Sequence, residues 1–83
     1  MIVVQYYSRP GCHLCEVMLE ELLPLIRGRA DVEVCNVDSR TDWRDKYDTR
    51  VPVIEYAGQL VSTYPLDYGA VRRFLARLPE NPE

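Results

Sequence analysis

An α/β fold, a four-stranded mixed sheet flanked by helices in the order β-α-β-α-β-β-α, is what this 83-residue chain predicts, and three observations carry the prediction. Strand-like and helix-like runs alternate through the first half, which implies parallel strands joined by right-handed crossovers. Two later strand-like runs are separated only by Ala57-Gly58, a connection that makes them an antiparallel hairpin. An amphipathic helical stretch then closes the chain.

Ile2 to Tyr7 is apolar, rich in β-branched and aromatic residues and interrupted only by Gln5, as expected of a central strand buried on both faces. Ser8-Arg9-Pro10-Gly11 turns the chain. From Cys12 to Arg27 apolar residues recur at Leu14, Val17, Met18, Leu22, Leu25 and Ile26, with Glu16, Glu20 and Glu21 opposite, the period of a helix. Pro24 lacks the N–H that would bond the Glu20 carbonyl and predicts a kink; Gly28 predicts the stop. Asp31 to Val37 alternates at period 2, predicting a strand that contains Cys35, with Val32 and Val34 inward and Val37 a further inward candidate. Asp38-Ser39-Arg40-Thr41-Asp42 reads as the capped start of a short polar helix to about Asp48, anchored by Trp43 and Tyr47 one turn apart. Val51 to Tyr56 is a strand entered through Pro52, and Gln59 to Thr63 is its hairpin partner. Asp67 caps the last helix, in which Val71, Phe74, Leu75 and Leu78 share a face, and Pro79 ends it ahead of a polar tail.

Residues 1–83 have room for one domain. Charged residues make up 28% and no apolar run approaches the roughly 18 residues of a membrane span, so a membrane protein is excluded. The net charge of −3 is spread along the chain without a Lys/Arg cluster, which excludes nucleic acid as the expected partner. The chain opens on Met1-Ile2-Val3-Val4 with neither a basic region nor a cleavage site, so a cytoplasmic location is expected; a monomer is expected as well. Three cysteines are too few and too odd for a secreted disulfide scaffold, and a CxxC in a reducing compartment points to redox or metal chemistry.

That CxxC is Cys12-His13-Leu14-Cys15, placed straight after a strand at a helix start. Unpaired N–H groups and the positive end of the macrodipole there favour thiolate, the reactive form, and two intervening residues bring the second sulfur within disulfide reach. Zinc would need four ligands, whereas the chain offers only this pair, His13 and the distant Cys35. A metal or iron–sulfur module held across a dimer, and a non-catalytic adaptor presenting the Val51-Pro52 groove, are the rival readings.

Tyr7-Ser8-Arg9-Pro10-Gly11-Cys12-His13-Leu14-Cys15 resembles the active-site run of the glutaredoxins, which usually read Tyr-Ser-Lys-Pro-Gly-Cys-Pro-Tyr-Cys. Arg50-Val51-Pro52 is similar to their Thr-Val-Pro, and the element order matches a minimal thioredoxin fold over nearly the whole chain. The resemblance implies a thiol–disulfide oxidoreductase in which Cys12 attacks, Cys15 resolves, and Pro52 is cis and faces the disulfide. It further implies that Val51 offers backbone bonds to an extended substrate and that Arg9 stands where a lysine meets a glutathione carboxylate. The implied partners are protein or small-molecule disulfides and dithiols, with a reductase or glutathione as electron donor.

The chain also departs from that family. His13-Leu14 replace Pro-Tyr between the cysteines and remove an aromatic wall of the groove, where they remain candidate substrate contacts. Ser62-Thr63 fall where the family has Gly-Gly against the γ-glutamyl group, Asp67 falls one residue late, and Tyr6 occupies the position at which thioredoxins keep a carboxylate. No resident cofactor is expected, and glutathione-dependent turnover is expected to be slow. His13 reads either as a solvent-facing first-turn residue or as a cation tuning Cys12; Arg9 reads either as a loop charge or as an anion contact. Cys35 reads as a small core hydrophobe, with a regulatory thiol as the alternative.

Overall fold

Val3–Ser8 (β1) is the spine of the molecule, hydrogen-bonded along both edges. The structure, a computed structural model, describes residues 2–78, so the Pro79 stop and the polar tail lie outside the described residues. On one side β1 pairs in parallel with Asp31–Asn36 (β2), from Val3 opposite Asp31 to Ser8 opposite Asn36. On the other it pairs antiparallel with Val53–Tyr56 (β3), which in turn pairs antiparallel with Gln59–Thr63 (β4), giving the mixed order β2-β1-β3-β4. In the hairpin Ile54 lies opposite Ser62 but Glu55 opposite Leu60, so Val61 is the extra residue of a bulge.

Alternate side chains of β1 serve opposite faces, and each face has its own core. His13–Ile26 (α1) and Tyr68–Arg77 (α3) cover Val4, Tyr6 and Ile54 with Met18, Leu22, Ile26, Val71 and Phe74. Thr41–Tyr47 (α2) covers Tyr7, Cys35, Val37 and Val53 with Tyr47 and the half-buried Trp43. Tyr7 stacks on Tyr47 at 4.2 Å between centroids and meets Trp43 edge-on at 5.4 Å, so the anchoring pair read from the sequence does bind α2 to the sheet. Asp67 caps α3 as expected, its carboxylate accepting from the Ala70 N–H at 2.9 Å.

Three local expectations are corrected. The buried stripe of α1 is Cys15, Met18, Leu22 and Ile26, and Leu14, about 100° round the helix from Cys15, is left exposed. Pro24, by contrast, sits inside α1 as expected; the helix runs on to Ile26, the Arg27 N–H reaches the Leu23 carbonyl at 3.1 Å, and Gly28, at φ +83°, is the stop. Val34 is 55% exposed rather than inward: β2 is an edge strand, and burial falls on Cys35 and Val37 beneath α2. Finally, α2 starts at Thr41 rather than at Asp38. The Asn36 side chain captures the Asp38 N–H at 2.9 Å and the Ser39 hydroxyl donates to the Asn36 carbonyl at 2.7 Å, closing Val37–Ser39 into a separate 3-10 turn.

Candidate active site

The C-terminal end of β1 delivers the chain into a turn that sets Cys12 outside the helix and Cys15 inside it. Gly11 takes φ +77°, the left-handed region that glycine enters without steric cost, and the Cys12 N–H then donates to the Arg9 carbonyl at 3.2 Å. Cys12 itself is extended (φ −88°, ψ 107°) and is the N-cap of α1: its Sγ accepts the Cys15 backbone N–H at 3.2 Å, where other helices use a Ser or Asp oxygen. The two sulfurs are bonded, with the Cα atoms 5.2 Å apart, within the ordinary span of a disulfide.

Once that bond is reduced, the same amide and the helix dipole stabilise negative charge on Cys12. Cys15 lacks this advantage. It lies on the inner face of α1 at 4% exposure, packed in the core, while Cys12 is only half-buried. A buried phenol completes the arrangement: the Tyr6 hydroxyl, reaching up from β1, donates to the Cys15 carbonyl at 2.6 Å. Burial, reinforced by Glu21, raises the Tyr6 pKa far above that of an ordinary phenol, so the donor keeps its proton.

The other residues expected at the site are placed unevenly. Extending the β1–β3 register by one position sets Pro52 across from Ser8, at the end of the sheet that carries the cysteines. Pro52 is fully buried, the Val51–Pro52 peptide is cis, and Val51 and Cys12 both pack against the core that holds Cys15. His13 and Leu14 form an exposed first turn. Arg9 is already engaged: its Nε donates to both oxygens of Asp38 at 3.2 Å, and Asp38 also meets Arg44, at 3.7 Å through the carboxylate and 2.9 Å through the carbonyl. Neither stood out in the sequence, where Asp38 reads as part of a helix cap and Arg44 as a charge on the polar helix that follows. Ser62 is also unlike its expectation. Its hydroxyl is turned inward at 4% residue exposure, donating to the Thr63 carbonyl at 2.9 Å and accepting the Asp67 N–H at 3.0 Å, so it secures the entry to α3 and leaves Thr63 as the exposed member of the pair.

On the opposite face the chemistry is structural. Tyr47 donates to the buried Glu55 carboxylate at 2.8 Å; burial first and this bond second raise its pKa. Cys35 is buried beside it, with its thiol pointing to the Glu33 carbonyl at 3.6 Å; burial and then Glu33 raise its pKa, which keeps it a neutral hydrophobe. Among the described residues no three or more His, Cys, Asp or Glu side chains converge as a metal site, and no helix is long and apolar enough to cross a membrane.

Comparison with known proteins agrees with this geometry. The family model described as "Glutaredoxin-like domain (DUF836)" matches residues 3–76. No curated protein matches the chain. Among solved structures, the structural-genomics target protein XcR50 from X. campestris is 28% identical, with a TM-score of 0.69 over 92% of this chain and 99% of its own. Mitochondrial thioredoxin 3 from Saccharomyces cerevisiae, in its oxidized form, is 23% identical and shares the fold, with a TM-score of 0.59 over 92% of this chain and 77% of its own.

Proposed function

Because the chain belongs to the glutaredoxin-like domain family and has a thioredoxin fold, we propose that it is a thiol–disulfide oxidoreductase whose working couple is Cys12–Cys15. The observation that carries this reading is the Cys12 sulfur at the N-cap of α1, accepting the Cys15 amide while Cys15 lies buried one turn on. Cys12 thiolate attacks one sulfur of a substrate disulfide, and the other substrate sulfur leaves as a thiolate. Cys15 then gives its proton to solvent and bonds to the Cys12 sulfur, expelling the second substrate thiolate. Substrate gains two electrons and the pair loses them; a dithiol donor or reductase returns them.

Val51, with its backbone next to Pro52, and the exposed His13 and Leu14 are the contacts assigned to an extended substrate, a protein or small dithiol. Glutathione fits less well. Its carboxylate must compete with Asp38 for Arg9, and its γ-glutamyl end meets the β-branched Thr63 in place of glycine. No bound cofactor is required for this cycle, and the reading places it in a reducing cytoplasm.

Alkylation of the reduced protein at mildly acidic pH tests the roles. Cys12 should react first, and Cys15→Ser should accumulate mixed disulfides that Cys12→Ser cannot form. Preferential modification of Cys15 would reverse the assignment.

A further inference from the structure

We infer that Tyr6 is a positioning residue for the resolving step, its phenol clamping the Cys15 peptide to the sheet so that the Cys15 sulfur stands in line with a mixed disulfide on Cys12. This role presupposes Cys12 and Cys15 as the attacking and resolving thiols, and the test below separates the two.

Tyr6 is 1% exposed on the central strand, with Ile54 opposite it on β3, and it belongs to the core that holds Cys15. Its hydroxyl meets the Cys15 carbonyl at 2.6 Å. That carbonyl already faces the Leu19 amide inside α1, as every helical carbonyl faces the residue four further on. The phenol therefore adds an anchor that the helix does not need for its own hydrogen bonding. The anchored peptide continues the chain of bonds, because the Glu16 N–H on its far side donates to the Cys12 carbonyl at 3.1 Å. Cys15 is thus tied at its N–H to the Cys12 sulfur and at its carbonyl to β1. When substrate occupies the Cys12 sulfur, the first tie is weakened and the second remains.

The nucleophile is held differently. Cys12 lies outside the helix, where the Gly11 turn and the bond from its N–H to the Arg9 carbonyl hold it without Tyr6, and it meets the Tyr6-anchored peptide only through its own carbonyl. Removal of the phenolic oxygen should slow resolution and spare attack, a split that general loss of stability does not produce.

The experiment uses Tyr6→Phe in a Cys35→Ala background, reacted in reduced form with one equivalent of an aromatic disulfide whose thiolate is coloured. The first thiolate is released when Cys12 attacks, and the second when Cys15 displaces it and closes the Cys12–Cys15 bond. The expected result is a first phase within about twofold of the parent and a second phase about tenfold slower, below the roughly 100-fold cost of a full 1 Å misplacement because the helix still holds Cys15 in part. Ile54→Val, which trims the same core opposite Tyr6 without touching the hydroxyl, should keep the parent's ratio of phases. An unchanged ratio in Tyr6→Phe, an equal slowing of both phases, or the same selective slowing in Ile54→Val would overturn the role of Tyr6. A parent protein that releases only one equivalent would overturn the resolving role of Cys15 itself.

Discussion

At the residue scale, Cys12 and Cys15 are one helical turn apart in sequence and belong to different environments, one capping the helix and the other buried in its core-facing stripe. Sequence alone made this difference legible, because the turn residues Pro10-Gly11 fix where the helix starts and only the first cysteine of a CxxC can sit at that start. What it concealed was the partnering of Arg9. The carboxylate that occupies Arg9 comes from Asp38, 29 residues away, and a contact of that separation leaves no local pattern. The pair is exposed, so Asp38→Asn should change stability by under about 1 kcal/mol while releasing the Arg9 fork. A few-fold rise in kcat/KM for carboxylate-bearing thiols such as glutathione, fading with added salt, is the expected outcome. Cys35 supports a second prediction at this scale. Burial raises its pKa above the ordinary thiol value of 9.0, so the folded state holds the proton longer than the unfolded state. The associated stability is fully present below that value and is lost as pH rises through the higher folded pKa. Tyr6, Tyr7 and Tyr47 act in the same direction from their ordinary value of 10.0. Denaturant midpoints should therefore fall above about pH 9, and Cys35→Ala should remove the earliest part of that fall.

At the scale of elements, period and composition placed every strand and helix, and the errors fell where tertiary contact decides between equivalent local patterns. Val34 satisfies the alternation of β2 as well as Val32 does, but the cover over that edge stops short of it. Asp38 and Ser39 are good caps in isolation, yet Asn36 captures the Asp38 amide and Ser39 closes on Asn36. Ser62 matters most for function. Because the β-bulge turns its hydroxyl inward onto the Asp67 N–H, Ser62→Gly should cost about 0.5–1.5 kcal/mol by removing this half-buried hydrogen bond, while opening little room for ligand. Thr63→Gly is the variant that should raise glutathione-dependent turnover. Equal gains from both, at unchanged Tm, would mean that Ser62 faces the ligand after all. The α2 face has its own test: Tyr47→Phe strips the buried Glu55 of its phenolic donor and should destabilise by about 1–3 kcal/mol, visible in chemical denaturation.

For the molecule as a whole, the central pair, β1 with β3, is antiparallel, so the end of β1 and the start of β3 lie at one end of the sheet, which is why a CxxC and a Val-Pro separated by 36 positions share a site. The central claim is that this site cycles as one dithiol–disulfide couple, and it is tested most directly by redox titration of the whole chain in graded thiol buffers, read by trapping free thiols and weighing the intact protein. The account predicts a single reversible two-electron transition confined to Cys12 and Cys15, abolished by either Cys12→Ser or Cys15→Ser and unaffected by Cys35→Ala, with a midpoint of about −200 to −270 mV, the span from glutaredoxins to thioredoxin. A pair that stays in one state across that span, or a transition that survives loss of Cys12, would contradict it.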